Sequence, residues 1–191
     1  MVQVARGVGL SKAALYRYFD TKETLFLAVA EAQLGAWLLE LGTKLDALRR
    51  PSSADALAEV LCLSLLRRPA MARLLALLHV ELEHNLVPAE ALRFKRALHA
   101  LLTTFGEKLA RAAGLPSAEA GLKAALYVHA LVIGLWQMSD PPPQVARLLA
   151  TGGLQALRVD FQPALQAGAA ALLRGLALGS GRTLPARAAA R

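Results

Sequence analysis

The sequence predicts an all-α protein, with a small N-terminal helical unit ahead of a larger helical bundle. Three observations carry this. Hydrophobic residues make up 55% of the chain and aromatics only 5%, so the apolar mass is Leu and Ala, the strongest helix formers. No useful stretch alternates apolar and polar residues with the period of two that a half-buried strand requires. Ser, Thr and Pro stand where apolar residues begin to recur every three to four positions, and Gly and Pro stand where that recurrence stops.

The elements follow in order. Gly7-Val8-Gly9 ends a short helix that starts near Val2. Ser11 is an N-cap for a helix from Lys12 to about Phe19. Asp20 and Thr21 offer the next cap, and Glu23 places an acid in the first turn, where the helix dipole favours it. Leu25, Phe26, Val29, Leu34, Trp37, Leu38, Leu41, Leu45 and Leu48 then keep helical spacing as far as Arg49-Arg50-Pro51. Ser52-Ser53 caps a helix from Ala54 to Arg67. Pro69 suits the first turn of another, Ala70 to Glu83, and Asn85 to Pro88 is a turn. A long helix from Pro88 to Ala113 stops at Gly114-Leu115-Pro116. Ser117 starts the next, Ala118 to Met138. Asp140-Pro141-Pro142-Pro143 is a loop, Gln144 to Ala150 a short helix closed by Thr151-Gly152-Gly153, and Phe161 to Leu176 the last helix. No internal repeat is present.

The formal charge is +8 and the pI about 10.3, which favours an anionic partner, nucleic acid foremost. Part of the excess lies in residues 179–191, a basic tail with Arg182, Arg187, Arg191 and no acid, expected to be disordered. Cys62 is the one cysteine. It has no partner for an intrachain disulfide and no zinc-ligand spacing, and reads as a small buried hydrophobe. Its use suits a reducing cytoplasm. The longest uncharged run, Ala124 to Ser139, is shorter than the roughly 18–20 residues of a membrane span, so no membrane association is expected.

Chemistry is sparse. His79 and His84 are five apart and share no helix face, and His99 and His129 stand alone, so no metal site is expected. No Ser/His/Asp order or active carboxylate pair stands out. Gly152-Gly153 and the run GLALGSG lack the strand–helix context of a phosphate loop. The chain reads as a non-enzyme without cofactors.

The dense stretch is GLSKAALYRYFDTKETL, residues 9–25. Three of the ten aromatics, Tyr16, Tyr18 and Phe19, fall within four residues. On a helix from Lys12 to Phe19, Leu15 and Phe19 share one face. Lys12, Ala13, Tyr16 and Arg17 lie away from it, with Tyr18 at its edge. A short helix with one apolar seam and basic and phenolic side chains elsewhere suits a major groove. Arginine reads guanine edges, while Lys, Tyr and Ser hold phosphates. Lys22 opens the next helix, whose N-terminal amides also favour a phosphate.

These residues resemble the helix-turn-helix of the TetR/AcrR transcriptional regulators, whose pattern of small-x-x-Gly-hydrophobic-Ser, Leu-Tyr-x-Tyr-Phe and x-x-Lys-x-x-Leu is met by Ala5, Gly9, Leu10, Ser11, Leu15, Tyr16, Tyr18, Phe19, Lys22 and Leu25. The resemblance covers about the first 30 residues. It implies a DNA-binding domain over 1–30 and a helical effector-binding and dimerisation domain over 31–178. It implies that Lys12, Ala13 and Arg17 face base edges, that Ser11, Tyr16, Tyr18 and Lys22 hold phosphates, and that Leu15 and Phe19 are core. Regulators of this kind carry one more amphipathic helix ahead of the glycine turn, so the resemblance implies roughly 25–30 further residues before Val2, by analogy with three-helix modules. Without them Val4, Val8, Leu15 and Phe19 lose a wall of their core. The alternative reading is a DNA-binding-defective ligand-binding or interaction module.

By the same resemblance the helices between Ser53 and Met138 enclose a pocket, with Leu61, Cys62, Leu78, Phe94, Leu98, Leu102, Phe105, Tyr127 and Val128 as candidate lining. Such a pocket is mainly apolar and suits a small lipophilic effector. The helices Ala118–Met138 and Phe161–Leu176 are nearly free of charge and need a partner surface. A homodimer through them would bring Gly134, Ala167, Gly168 and Ala171 into the interface, and would place two recognition helices on double-stranded operator DNA.

Overall fold

A computed structural model of the chain describes residues 11–78, 87–151 and 153–179. These form eight α-helices and one 3-10 turn, with no strand among the described residues. The expected helix near Val2, the turn at Gly7–Gly9, the pair His79/His84 and the tail from 180 lie outside the described residues.

Helix α1 is Lys12–Tyr16. Ser11 caps it, its Oγ accepting from the Ala14 amide at 3.0 Å. The helix stops three residues short of the expected Phe19. The reason is its neighbour: Thr21 is held in extended geometry as the N-cap of α2, Lys22–Asp46, so the chain must leave the helix before it. The cap is reciprocal. Thr21 Oγ1 accepts from the Thr24 amide at 3.1 Å, and Thr24 Oγ1 accepts from the Thr21 amide at 3.2 Å, which satisfies two of the orphan donors of a helix start.

Helix α2 buries Leu25, Leu27, Ala30, Leu34, Trp37, Leu38, Leu41 and Leu45. Phe26 and Val29, expected on that stripe, are each 42% exposed; Leu27 and Ala30 take the inward face instead. The helix ends at Asp46 rather than Leu48. The Ala47 and Leu48 amides fold back on Thr43 and Leu45 carbonyls, and residues next to proline resist the helix.

Helices α3 (Ala54–Leu66), α4 (Pro69–Leu77), α5 (Pro88–Ala113) and α6 (Ala118–Ser139) complete the centre. Ser53 and Ser117 cap α3 and α6 as the sequence predicts. Gly114 closes α5 at φ 66°, in the left-handed region, and the Leu115 amide reaches back to the Ala110 carbonyl at 2.9 Å; glycine takes that turn without a Cβ penalty. Helices α5 and α6 then pack antiparallel with their backbones touching. A Cβ on Gly121 would lie 1.9 Å from the Gly106 carbonyl oxygen.

Helix α7 (Pro143–Ala150) and a 3-10 turn at Leu154–Leu157, which the sequence does not predict, pack chiefly on each other. Helix α8, Phe161–Gly179, returns to lie against α3 and α6. The main core gathers residues of α2, α3, α4, α5, α6 and α8. Its one buried polar side chain among the described residues, Ser64, accepts a hydrogen bond from Trp37 Nε1 at 3.0 Å. Ion pairs rivet the outside: Arg93–Glu31 at 2.8 Å ties α5 to α2, Lys108–Asp46 at 2.6 Å does so further along, and Arg174 grips both Asp55 oxygens at 2.9 Å, tying α8 to α3. Helices α2 and α6 are long and apolar enough, by length and composition alone, to cross a membrane; both are packed into the bundle.

Candidate functional sites

At the N-terminal end, α1 and the start of α2 present a cationic and phenolic surface. Ala13, Arg17 and Lys22 are exposed, and so are Tyr16 (40%) and Tyr18 (74%). Two exposed tyrosines this close together, in a chain with so few aromatics, put phenolic side chains on the same surface as Arg17 and Lys22. Phe19 turns partly inward and Leu25 is buried, as a face that packs on the protein requires. Lys22 Nζ lies 3.6 Å from Glu23, but its side chain stays 67% exposed. Helix α2 has its free amides at this same end. The N-cap hydroxyl of Thr21 satisfies the Thr24 amide, and the remaining amides of the first turn, with the dipole, favour an anion. Ser11 caps α1 with its Oγ as the acceptor, a role that does not use the hydroxyl's own donor. Of Lys12 the structure describes only its place at the start of α1.

Deeper in the bundle lies a cavity of about 290 Å³. Its walls are Leu34, Trp37, Leu38 and Leu41 from α2, Leu61 from α3, and Leu75 from α4, with Leu78 just beyond α4. Helix α5 adds Leu98, Leu102, Phe105 and Leu109. Helix α6 adds Leu122, Ala125, Leu126, Val128 and Val132. Of the sequence candidates, Leu61, Leu78, Leu98, Leu102, Phe105 and Val128 therefore converge on one space. Cys62, Phe94 and Tyr127 do not. Cys62 faces α8, with Sγ 3.6 Å from the Gln162 carbonyl, and burial pushes its thiol up. Phe94 fills a second core cluster with Leu27, Ala30 and Leu78. Tyr127 is 46% exposed on the outside of α6. Helix rotation explains each case: apolar character says that a residue is buried, not which side of its helix faces the gap.

The cavity also has polar members that sequence reasoning missed as a group. Lys95 and His99 from α5 and His129 from α6 line it. The spacing of Lys95 and His99, one turn apart on one face, was the available signal. Their meeting with His129 depends on how α5 and α6 cross.

The outer faces of α6 and α8 are the third feature. Ala167 and Ala171 are exposed and Gly134 and Gly168 half-buried; a Cβ at Gly134 would meet nothing within 4 Å, while one at Gly168 would lie 3.6 Å from the Leu131 side chain of α6. Leu126, Tyr127 and Met138 are exposed on α6 as well. Of the four small residues, Ala167 and Ala171 lie on the surface of the subunit, and Gly168 sits where α8 packs against α6.

Comparison with known families agrees with this architecture. The family described as "Bacterial regulatory proteins, tetR family" matches residues 1–29, and the one described as "Tetracyclin repressor-like, C-terminal domain" matches residues 31–179. No curated protein matches the chain at a significant level. With an all-helical bundle behind a short capped helix and an exposed basic start to α2, and with the second match spanning most of its length, the chain belongs to the TetR family of helix-turn-helix transcriptional regulators, which are DNA-binding proteins and not enzymes.

Proposed function

We propose that the protein is a repressor that binds a double-stranded operator as a homodimer and releases it when a small lipophilic effector fills the central cavity. The observation that carries this reading is α2. The same unbroken helix opens with exposed Lys22 and lines the cavity with Leu34, Trp37, Leu38 and Leu41. From Lys22 to Trp37 is about 22 Å of helix rise. A reorientation of α2 on filling the cavity therefore reaches the proposed phosphate contacts without an intermediary. In this reading residues 1–30 form the DNA-binding unit and 31–178 the regulatory unit, with α2 crossing between them. Arg17, Lys12 and Ala13 read base edges; Ser11, Tyr16, Tyr18 and Lys22 hold the backbone.

The dimer forms through the exposed apolar faces of α6 and α8. Two recognition elements related by a two-fold axis read two half-sites about one helical turn apart. A soluble, cytoplasmic protein fits this role.

Selection of bound fragments from sheared genomic DNA, followed by footprinting, tests the proposal. The expected result is a two-fold symmetric footprint. A protein that retains no fragment above background would favour the alternative, a helical ligand-binding or interaction module without DNA contact.

A further inference from the structure

We propose that the cavity selects a single-ended amphiphile, a hydrocarbon body of about ten carbons whose one polar group stands at its end. This rests on the reading of the cavity as the effector site. The cavity has two unlike sides. Every lining residue on α2, α3 and α4 is buried, and so is Leu78 just beyond α4. All of these are leucines except Trp37. By contrast, Lys95 and His99 of α5 and Leu126 of α6 line the cavity and are exposed. The cavity therefore meets solvent along the seam between α5 and α6. The other histidine of the lining, His129, also belongs to α6.

Against the side formed by α2, α3 and α4 a polar group on the ligand has no partner. The indole N–H of Trp37 is donated to Ser64 Oγ at 3.0 Å. Among the described residues no buried side-chain nitrogen or oxygen lacks a partner, and helical backbone groups pair along their own helices. A cavity walled in this way stays dry, so water does not compensate. A ligand hydroxyl placed there keeps the whole cost of an unpaired buried polar group. At the seam the same hydroxyl keeps its hydration. The site therefore reads where along the ligand the polar group stands. The volume of about 290 Å³ holds about ten water-sized units of about 30 Å³ each, which sets the length of the body.

Trp37 lines the cavity and the chain has one other tryptophan, Trp136, so intrinsic fluorescence reads the site. The experiment titrates the full chain at pH 7 with 1-decanol, 5-decanol and 1,10-decanediol, each below its solubility limit. All three probes are uncharged, so ionic groups at the seam do not decide the comparison. The terminal alcohol should bind at least about tenfold more tightly than either of the others, a factor within the cost of one unpaired buried hydroxyl. Equal affinity for 1-decanol and 5-decanol, which share one formula, would overturn the proposal and leave the cavity reading intact. Equal affinity for 1-decanol and the diol would do the same. Failure of all three probes to bind would overturn both. A fluorescence change that persists in Trp37→Phe, with the fold checked by circular dichroism, would put the binding elsewhere and overturn the proposal as well. Calorimetry on the wild type repeats the three titrations, so the comparison stands even where that variant does not fold.

Discussion

Gly121 and Gly106 meet backbone to backbone: a Cβ built on Gly121 would stand 1.9 Å from the Gly106 carbonyl oxygen and 2.9 Å from the Ala110 Cβ. No side-chain shift relieves a clash with main chain. Gly121→Ala should therefore force α5 and α6 apart and cost at least about 1–3 kcal/mol, the range for overpacking. Gly175→Ala is the control. Nothing lies within 4 Å of its Cβ position, so there alanine should gain up to about 1 kcal/mol of helix propensity. Urea denaturation of the three proteins decides it; equal stability of Gly121→Ala and wild type would show that the helices do not cross at this point.

Ser64 is the polar partner of Trp37 inside the core. Ser64→Ala removes the acceptor and leaves the indole N–H buried and unpaired. The expected cost is about 1–3 kcal/mol, read from the shift in denaturation midpoint at unchanged slope. An unaltered midpoint would mean that water or another acceptor replaces the hydroxyl.

Glu40 sits between Lys44 and Arg68, both at 2.5 Å. Hydrogen bonds from Lys44 and then Arg68 hold its carboxyl down from 4.5 to about 2. The folded value is depressed, so the stabilisation is fully present above the unfolded value near 4.5 and is lost as pH falls through about 2. Glu40→Gln should remove that part of the acid dependence. Thermal melts between pH 5 and pH 2 would show a shallower slope for the variant, and identical slopes would remove Glu40 from the account.

Arg17 and Lys22 should separate by kind of contact. Lys22→Ala should weaken binding to all DNA and reduce the salt slope by about one unit. Arg17→Ala should relax discrimination at one or two base pairs at about 1–3 kcal/mol. Titrations of selected and random DNA at several salt concentrations test both. Equal loss on specific and random DNA for Arg17→Ala would take away its base-reading role.

Ala167 and Ala171 test assembly. Both are exposed on α8, so Ala167→Glu or Ala171→Glu should leave the subunit folded and helical while charging the proposed interface. Light scattering should find the wild type dimeric and the variants monomeric, with matching circular dichroism. A wild type that is monomeric at micromolar concentration would exclude the dimer.

Much of this was legible in local sequence because local physics decides it. Thr21, Ser53 and Ser117 each sit where a side-chain oxygen satisfies a helix start, and Gly114 sits where only a left-handed residue ends one. What depends on helix rotation was not legible. Phe94 and Cys62 are apolar and buried, as the periodicity implies, yet they face the second cluster and α8 rather than the cavity. The Trp37–Ser64 bond spans 27 residues, and the meeting of His129 with Lys95 and His99 depends on the Gly106–Gly121 crossing. Such pairings are tertiary, and no spacing along one chain encodes them.

Helix α7 and the 3-10 turn after it have no buried residue between them. The segment is a detour between two core helices, so its length and composition are under little pressure from packing. Sequence drift should collect there first, and a peptide tag spliced beside Gly153, where an added side chain would meet nothing within 4 Å, gives a handle for immobilising the regulator without touching the N-terminal surface, the cavity or the core.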